Sequence, residues 1–251
     1  MSLDFTLTKF HSLCSAVAEN YPTLTLSEYF AGAALPERFV IMRHDIDRRP
    51  MSALGTARIE AQCGIRATYY FRMNSRVFRP WIMREVEGMG HEVGYHYEAL
   101  GKAKGDFEKA IGLFGSELKE FREVCDVKTI CMHGNPLSKY DDRELWKVYD
   151  FRDFGIIGEA YLSAGKDINY FSDTGRSWNS KNNIRDFIPG RREESEVETT
   201  DDTIAMIESN RIDRIYILTH PERWGNGMDW GFSFVMDSAF NAGKKMLVAV
   251  R

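Results

Sequence analysis

The stretch FVIMRHDID (39–47) decides how the rest of the chain is read. Its first five residues, FVIMR (39–43), form an apolar, β-prone run bounded by polar positions and read as a strand. Side chains alternate along a strand, so Arg43, Asp45 and Asp47 fall on one face while His44 turns to the other. Two carboxylates this close on one face repel unless a cation or a shared proton lies between them. Arg43 can neutralise one of the pair, and a metal ion the other.

Working outward, strand and helix patterns alternate. MSALGTARIEAQCG (51–64) reads as a helix stopped at Gly64, ATYYF (67–71) as a strand, and RPWIMREVEGMG (79–90) as a helix stopped at Gly90. EVGYHY (92–97) is a third strand. Over 106–125, Phe107, Ala110, Ile111, Phe114, Leu118, Phe121 and Cys125 recur at three- and four-residue steps, the stripe of a helix packed on a core. VKTICMH (127–133), INYFS (168–172), RIYILTH (214–220) and KMLVAV (245–250) are further strand candidates. This alternation predicts a parallel α/β sheet with right-handed crossovers. Residues 1–37 read as a helical N-terminal extension carrying Phe5, Phe10, Leu13 and Val17, and 38–251 as one catalytic domain. RREESEVETTDD (191–202) reads as a solvated loop leading into a helix near 203.

Composition narrows the function classes. The 251 residues carry 33 basic and 37 acidic side chains, a net charge of −4, which leaves no electrostatic footprint for nucleic acid. No apolar run approaches the roughly 18 residues of a membrane span. The four cysteines, Cys14, Cys63, Cys125 and Cys131, lack paired spacing and read as reduced thiols. The first twenty residues lack the basic and apolar regions of an export signal, so the expected location is the cytoplasm. A small-molecule or saccharide partner fits better than a nucleic acid or a membrane.

The chemically capable side chains gather after strands: Asp45 and Asp47, His96 and Glu98, His133, Asp173, and His220. Five strand ends converge simply only where a closed or nearly closed parallel barrel collects them around one mouth. An open doubly wound sheet brings together two or three. The expected fold is therefore a parallel (β/α) barrel, distorted or incomplete, of seven or eight strands.

At these residues the chain resembles the polysaccharide deacetylase superfamily, the group with the chitooligosaccharide-deacetylase homology domain, over roughly 38–221. RHDID (43–47) is similar to its first motif, GHEVGYHYE (90–98) to its second and YILTHP (216–221) to its last. SDTGRSW (172–178) and CMHGNP (131–136) are looser matches. Two departures mark a divergent, cytoplasmic branch. Leu100 stands where the second motif usually supplies another metal-binding His, and Ile46 separates two aspartates that are usually adjacent.

The resemblance implies that Asp45 is the base, Asp47 and His96 are metal ligands, and His220 is the proton donor, oriented by Asp173. His133 is the candidate third ligand, with Glu98 behind it. An Asp, two imidazoles and an open position suit one divalent ion, zinc before others. Arg43, Glu98, Arg176, Trp178 and Trp224 are candidate substrate-binding side chains, with Trp230 a further aromatic of the rim. The implied activity is removal of an N-acyl group, an N-acetyl first of all, from an amino-sugar precursor of a surface polysaccharide of the O-antigen or capsule type. A metal-free amidohydrolase, in which Asp45 and Asp47 share a proton, and a non-catalytic saccharide-binding relative are the alternatives.

Overall fold

The computed structural model describes residues 3–32, 34–135, 138–179, 185–188 and 197–250, with backbone alone for Asp229 and 240–250. The elements, in chain order, are α1 (Leu7–Asn20), β1 (Thr23–Leu24), α2 (Leu26–Phe30), β2 (Phe39–Ile46), α3 (Pro50–Gln62), β3 (Thr68–Arg72), α4 (Pro80–Gly88) and β4 (Glu92–Tyr97). There follow α5 (Ala99–Lys102), α6 (Phe107–Arg122), β5 (Thr129–Met132), β6 (Gly158–Glu159), β7 (Asn169–Ser172), α7 (Thr200–Glu208), β8 (Arg214–Thr219) and α8 (Gly227–Val250). Helix boundaries follow local chemistry. Pro50 and Pro80 open α3 and α4, where a missing N–H costs nothing. Gly64 and Gly90, just past their ends, adopt φ of 75° and 92°, which only glycine tolerates freely. Within the charge run, Thr199 and Asp202 form a capping box that starts α7 at Thr200; residues 191–196 of that run lie outside the described residues.

The strands are all parallel, in the order β6-β5-β4-β3-β2-β8-β7, and the sheet curls into a half-barrel. β1 lies beside the first half of β2, pairing with Val40 and Ile41, and β3 takes over from Arg43 to Ile46. Among the described residues no pairing joins β6 to β7. Side chains fill that gap: the rings of Tyr161 and Tyr170 approach to 6.4 Å, and Arg43 reaches across the interior to the hydroxyls of Tyr161 (2.8 Å) and Tyr216 (3.3 Å). Register aligns Asp45 with Tyr70, and Tyr70 with Gly94. A Cβ on Gly94 would lie 2.3 Å from the Tyr70 ring, so a glycine is needed there for the interior to hold that tyrosine. On the outer face Tyr95, Tyr97 and Phe114 pack against one another, and the α6 stripe buries Ala110, Phe114, Leu118 and Phe121.

One expectation is overturned. KMLVAV (245–250) is the end of α8, not a strand. A short apolar run has no period that separates strand from helix, and this one continues a helix that began at Gly227. The described part of α8 turns Ser233 and Asp237 inward and leaves Met228, Phe232 and Val235 exposed. All four cysteines are free. Among the described residues no helix is long and apolar enough to cross a membrane.

Candidate active site and metal centre

The carboxyl ends of the central strands carry three linked groups of side chains. The first is Asp45 with Arg43. Both sit on the inner face of β2, and Arg43 Nε and Nη2 donate to the two oxygens of Asp45 at 2.8 and 2.5 Å. Burial pushes the Asp45 carboxyl up, but the Arg43 guanidinium and then His96 outweigh it, so the group lies below its ordinary range. Cys131 Sγ, also buried, is 3.9 Å from each Asp45 oxygen.

The second group is a triangle of Asp47, His96 and His133. Asp47 Oδ1 lies 3.4 Å from His96 Nε2 and 3.1 Å from His133 Nδ1, and the two ring nitrogens are 3.3 Å apart. Four ligands bound tetrahedrally at about 2.0–2.1 Å stand about 3.3–3.4 Å from one another, so these edges are of the size that one bound metal ion requires. Asp47 Oδ1 is buried without a hydrogen-bond partner among the described residues, although both nitrogens are this near. His96 Nδ1 lies 3.0 Å from the Cys131 carbonyl, which accepts its proton and leaves the Nε2 lone pair facing the triangle. Burial raises the Asp47 carboxyl, but its interactions with His133 and then His96 outweigh that and hold it well below the usual range. A donor set of one carboxylate and two imidazoles, with an unsatisfied buried oxygen, fits a divalent ion. Asp45, His96 and Cys131 form a second group with metal-ligand spacing, but Arg43 already occupies both Asp45 oxygens.

Compared with known proteins, the chain matches no family model and no curated sequence.

His220, at the end of β8, belongs to the third group. Its Nδ1 is 2.6 Å from Asp173 Oδ1, and its backbone N–H donates to Oδ2 at 2.9 Å. Trp224 Nε1 donates to the same Oδ2 at 2.9 Å, and Arg223 Nη1 to Oδ1 at 2.7 Å. Asp173 thus has four donors; despite complete burial, Arg223 and His220 pull it down to about 2. Burial and Arg223 lower the His220 imidazole, but Asp173 and Asp47 prevail and leave it above its ordinary value.

The structure thus brings together Asp45, Asp47, His96, His133, Asp173 and His220, while most of the expected substrate-binding residues take other places. Arg43 is wholly buried as the partner of Asp45. Trp178 is also fully buried; its Nε1 donates to Thr200 and its ring stacks on Phe5, so it is core. Trp224 is 3% exposed and braces Asp173. Arg176 donates to Asp237 of α8 and lies against the rings of Phe5, Trp230 and Phe234. Glu98 stands on the rim, accepting from Arg72 at 2.7 Å. Leu100 is buried on α5, its backbone N–H given to Asp142. Sequence reasoning missed Arg72, Arg223 and Glu222. Arg72 sits at the end of an inner-face β3 row and donates to the Asp47 carbonyl at 3.2 Å. Alternation along ATYYFR (67–72) could have found it. Glu222, 3% exposed, accepts from Arg48 through one oxygen, and its other oxygen has no hydrogen-bond partner among the described residues; nothing in PERWG (221–225) signals that burial.

Proposed function

We propose that the protein is a metal-dependent hydrolase that removes an N-acyl group, most simply acetyl, from an amino sugar. The observation that carries this reading is the Asp47–His96–His133 triangle, with the Arg43-held Asp45 carboxylate 3.6 Å from His96 and the Asp173-held His220 imidazole near enough to act electrostatically on Asp45 and Asp47. A divalent ion, zinc by its donor set, would be held by Asp47, His96 and His133, where it would supply Lewis acidity and lower the pKa of water.

The chain's own groups supply the proton transfers. Asp45 is kept ionised by Arg43, so it can accept a proton from an attacking water; general-base help of this type is worth about 10²–10⁴-fold. Asp45 is held low by Arg43 and Asp47 by its histidines, so neither carboxyl favours a proton shared between them. His220 gives its proton from Nε2 to the departing amine, since an amide nitrogen leaves poorly as an anion. Asp173 fixes the ring through Nδ1 and favours the imidazolium, while Trp224 and Arg223 fix Asp173. Glu98 and Arg72, paired with each other beside Asp47, are the polar groups assigned to the sugar in this reading. The resemblance to polysaccharide deacetylases supports the acyl-sugar class, and precursors of a surface polysaccharide in the cytoplasm are the proposed setting.

The test is release of acetate from acetamido sugars by zinc-loaded protein. Loss of release after chelation, its return with zinc, and its loss in His220→Ala and Asp45→Asn are expected. Full activity in exhaustively chelated protein would refute the metal-dependent reading. Saccharide binding without acyl release, unchanged by Asp45→Asn, would favour a binding protein instead.

A further inference from the structure

The register that joins β2 to β8 ends at the pair His44–Thr219, one residue before Asp45 and His220. Both members of that last pair turn outward, towards α3, and their side chains meet. His44 Nδ1 lies 2.7 Å from Thr219 Oγ1, and His44 Nε2 lies 2.7 Å from Glu60 Oε1 on α3. Tyr69 donates to the other Glu60 oxygen at 2.5 Å, and its ring lies against the imidazole with centroids 4.3 Å apart. His44, Thr219, Glu60 and Tyr69 are all fully buried.

The surrounding outward positions on these strands, Met42, Ile46, Phe71, Ile215 and Ile217, are apolar and buried. A polar cluster in that layer incurs desolvation that apolar side chains would avoid, so core packing alone gives no reason for it. What it adds is direction. A hydrogen bond fixes distance and angle where apolar contact does not, and this one lies where strand pairing stops holding β2 and β8 together.

We infer that His44, gripped by Glu60 and bonded to Thr219, is a positioning residue that sets the separation and aim of Asp45 and His220. This rests on the deacylase reading, in which those two side chains accept and donate the protons of one reaction. His44 touches neither substrate nor the metal triangle; it acts through the two strand ends in front of it. Misplacing a reacting group by about 1 Å can slow a reaction about 10²-fold, so a loosened tie has a measurable consequence.

The test compares Thr219→Val, which keeps the side chain's shape and removes its hydroxyl, with Thr219→Ser, which restores the hydroxyl. In zinc-loaded protein, Thr219→Val is expected to lower kcat on an acetamido sugar by about tenfold to a hundredfold, with KM and zinc stoichiometry unchanged. Thr219→Ser is expected to recover most of the loss. A second readout needs no turnover: the ¹⁵N resonances of the His220 ring should shift or broaden in Thr219→Val and return in Thr219→Ser. A lower melting temperature with unchanged kcat and unchanged His220 resonances would show a structural role only and overturn the inference. A loss that Thr219→Ser fails to rescue would also overturn it. If the parent protein released no acyl group, the deacylase reading would fail, and the His220 resonances would decide the positioning role alone.

Discussion

Arg43 and Asp45, two residues apart on one strand, form a two-pronged ion pair sealed inside the half-barrel, with Nε–Oδ1 and Nη2–Oδ2 distances of 2.8 and 2.5 Å. Neither side chain is more than 3% exposed. Removing one partner from such a pair leaves an uncompensated buried charge, at about 3–5 kcal/mol. Arg43→Met is therefore expected to lower unfolding free energy on that scale, read by urea denaturation. A change within about 0.5 kcal/mol, the range of ordinary surface substitutions, would contradict the pairing.

The triangle predicts one tight zinc per chain, measured by calorimetric titration. Asp47→Ala, His96→Ala and His133→Ala should each weaken binding by more than about 100-fold, beyond the scale at which outer-shell changes act. His133 is the informative member, because Leu100 occupies the position where a second motif histidine was expected. Tight uptake that survives His133→Ala would place the ion elsewhere.

The pH dependence follows from the Asp173–His220 pair. His220 lies above its ordinary value, so its stabilising contribution is fully present below about 6.5 and is lost as pH rises through the folded value. Under the proposed mechanism, His220 as proton donor should give kcat/KM an alkaline limb on that raised value, and Asp45, held low, should put the acid limb below the ordinary carboxylate range. Arg223 opposes the imidazolium, so Arg223→Gln should move the alkaline limb to higher pH. A downward shift in the pH–rate profile would contradict this electrostatic account.

Asp142 makes a separate prediction about stability. Its Oδ1 accepts from the backbone N–H of Leu100 at 2.6 Å and of Gly101 at 3.0 Å, while burial, Glu98 and Asp141 push its carboxyl up to about 6. A raised acid stabilises the fold below about pH 4, and that contribution is lost as pH rises to about 6. Asp142→Asn keeps an acceptor oxygen and removes the buried charge. It should be more stable than the parent by about 2–3 kcal/mol at pH 8, with the difference vanishing below about pH 4 in urea titrations.

Gly94 tests the interior packing. Its hypothetical Cβ would meet Tyr70 at 2.3 Å, and Tyr70 is fully buried with its hydroxyl 2.7 Å from Thr129. Gly94→Ala should cost about 1–3 kcal/mol as overpacking, visible as a lower urea midpoint. No change would mean that Tyr70 can move aside.

Much of the fold was legible because its signals are local. The strands at FVIMR (39–43), ATYYF (67–71), EVGYHY (92–97) and RIYILTH (214–220) each appear within a residue or a few of their expected bounds. Gly64 and Gly90 mark helix ends by their own backbone geometry. β1 and β6, of two residues each, carry too little sequence to announce themselves. KMLVAV (245–250) misled because hydrophobicity without period says nothing about which hydrogen bonds the backbone makes.

By itself, the sequence determined that Arg43, Asp45 and Asp47 share one face and that several acids and imidazoles end neighbouring strands. Strand alternation is a property of the backbone, so no partner is needed to read it. Only the tertiary structure decided that Arg43 seals onto Asp45, that His133 closes the triangle with Asp47 and His96, and that Trp178 and Trp224 turn into the protein. Those outcomes depend on strand order, on register between chain segments up to about two hundred residues apart, and on which loop packs over which strand end; they are long-range contacts that no local pattern encodes.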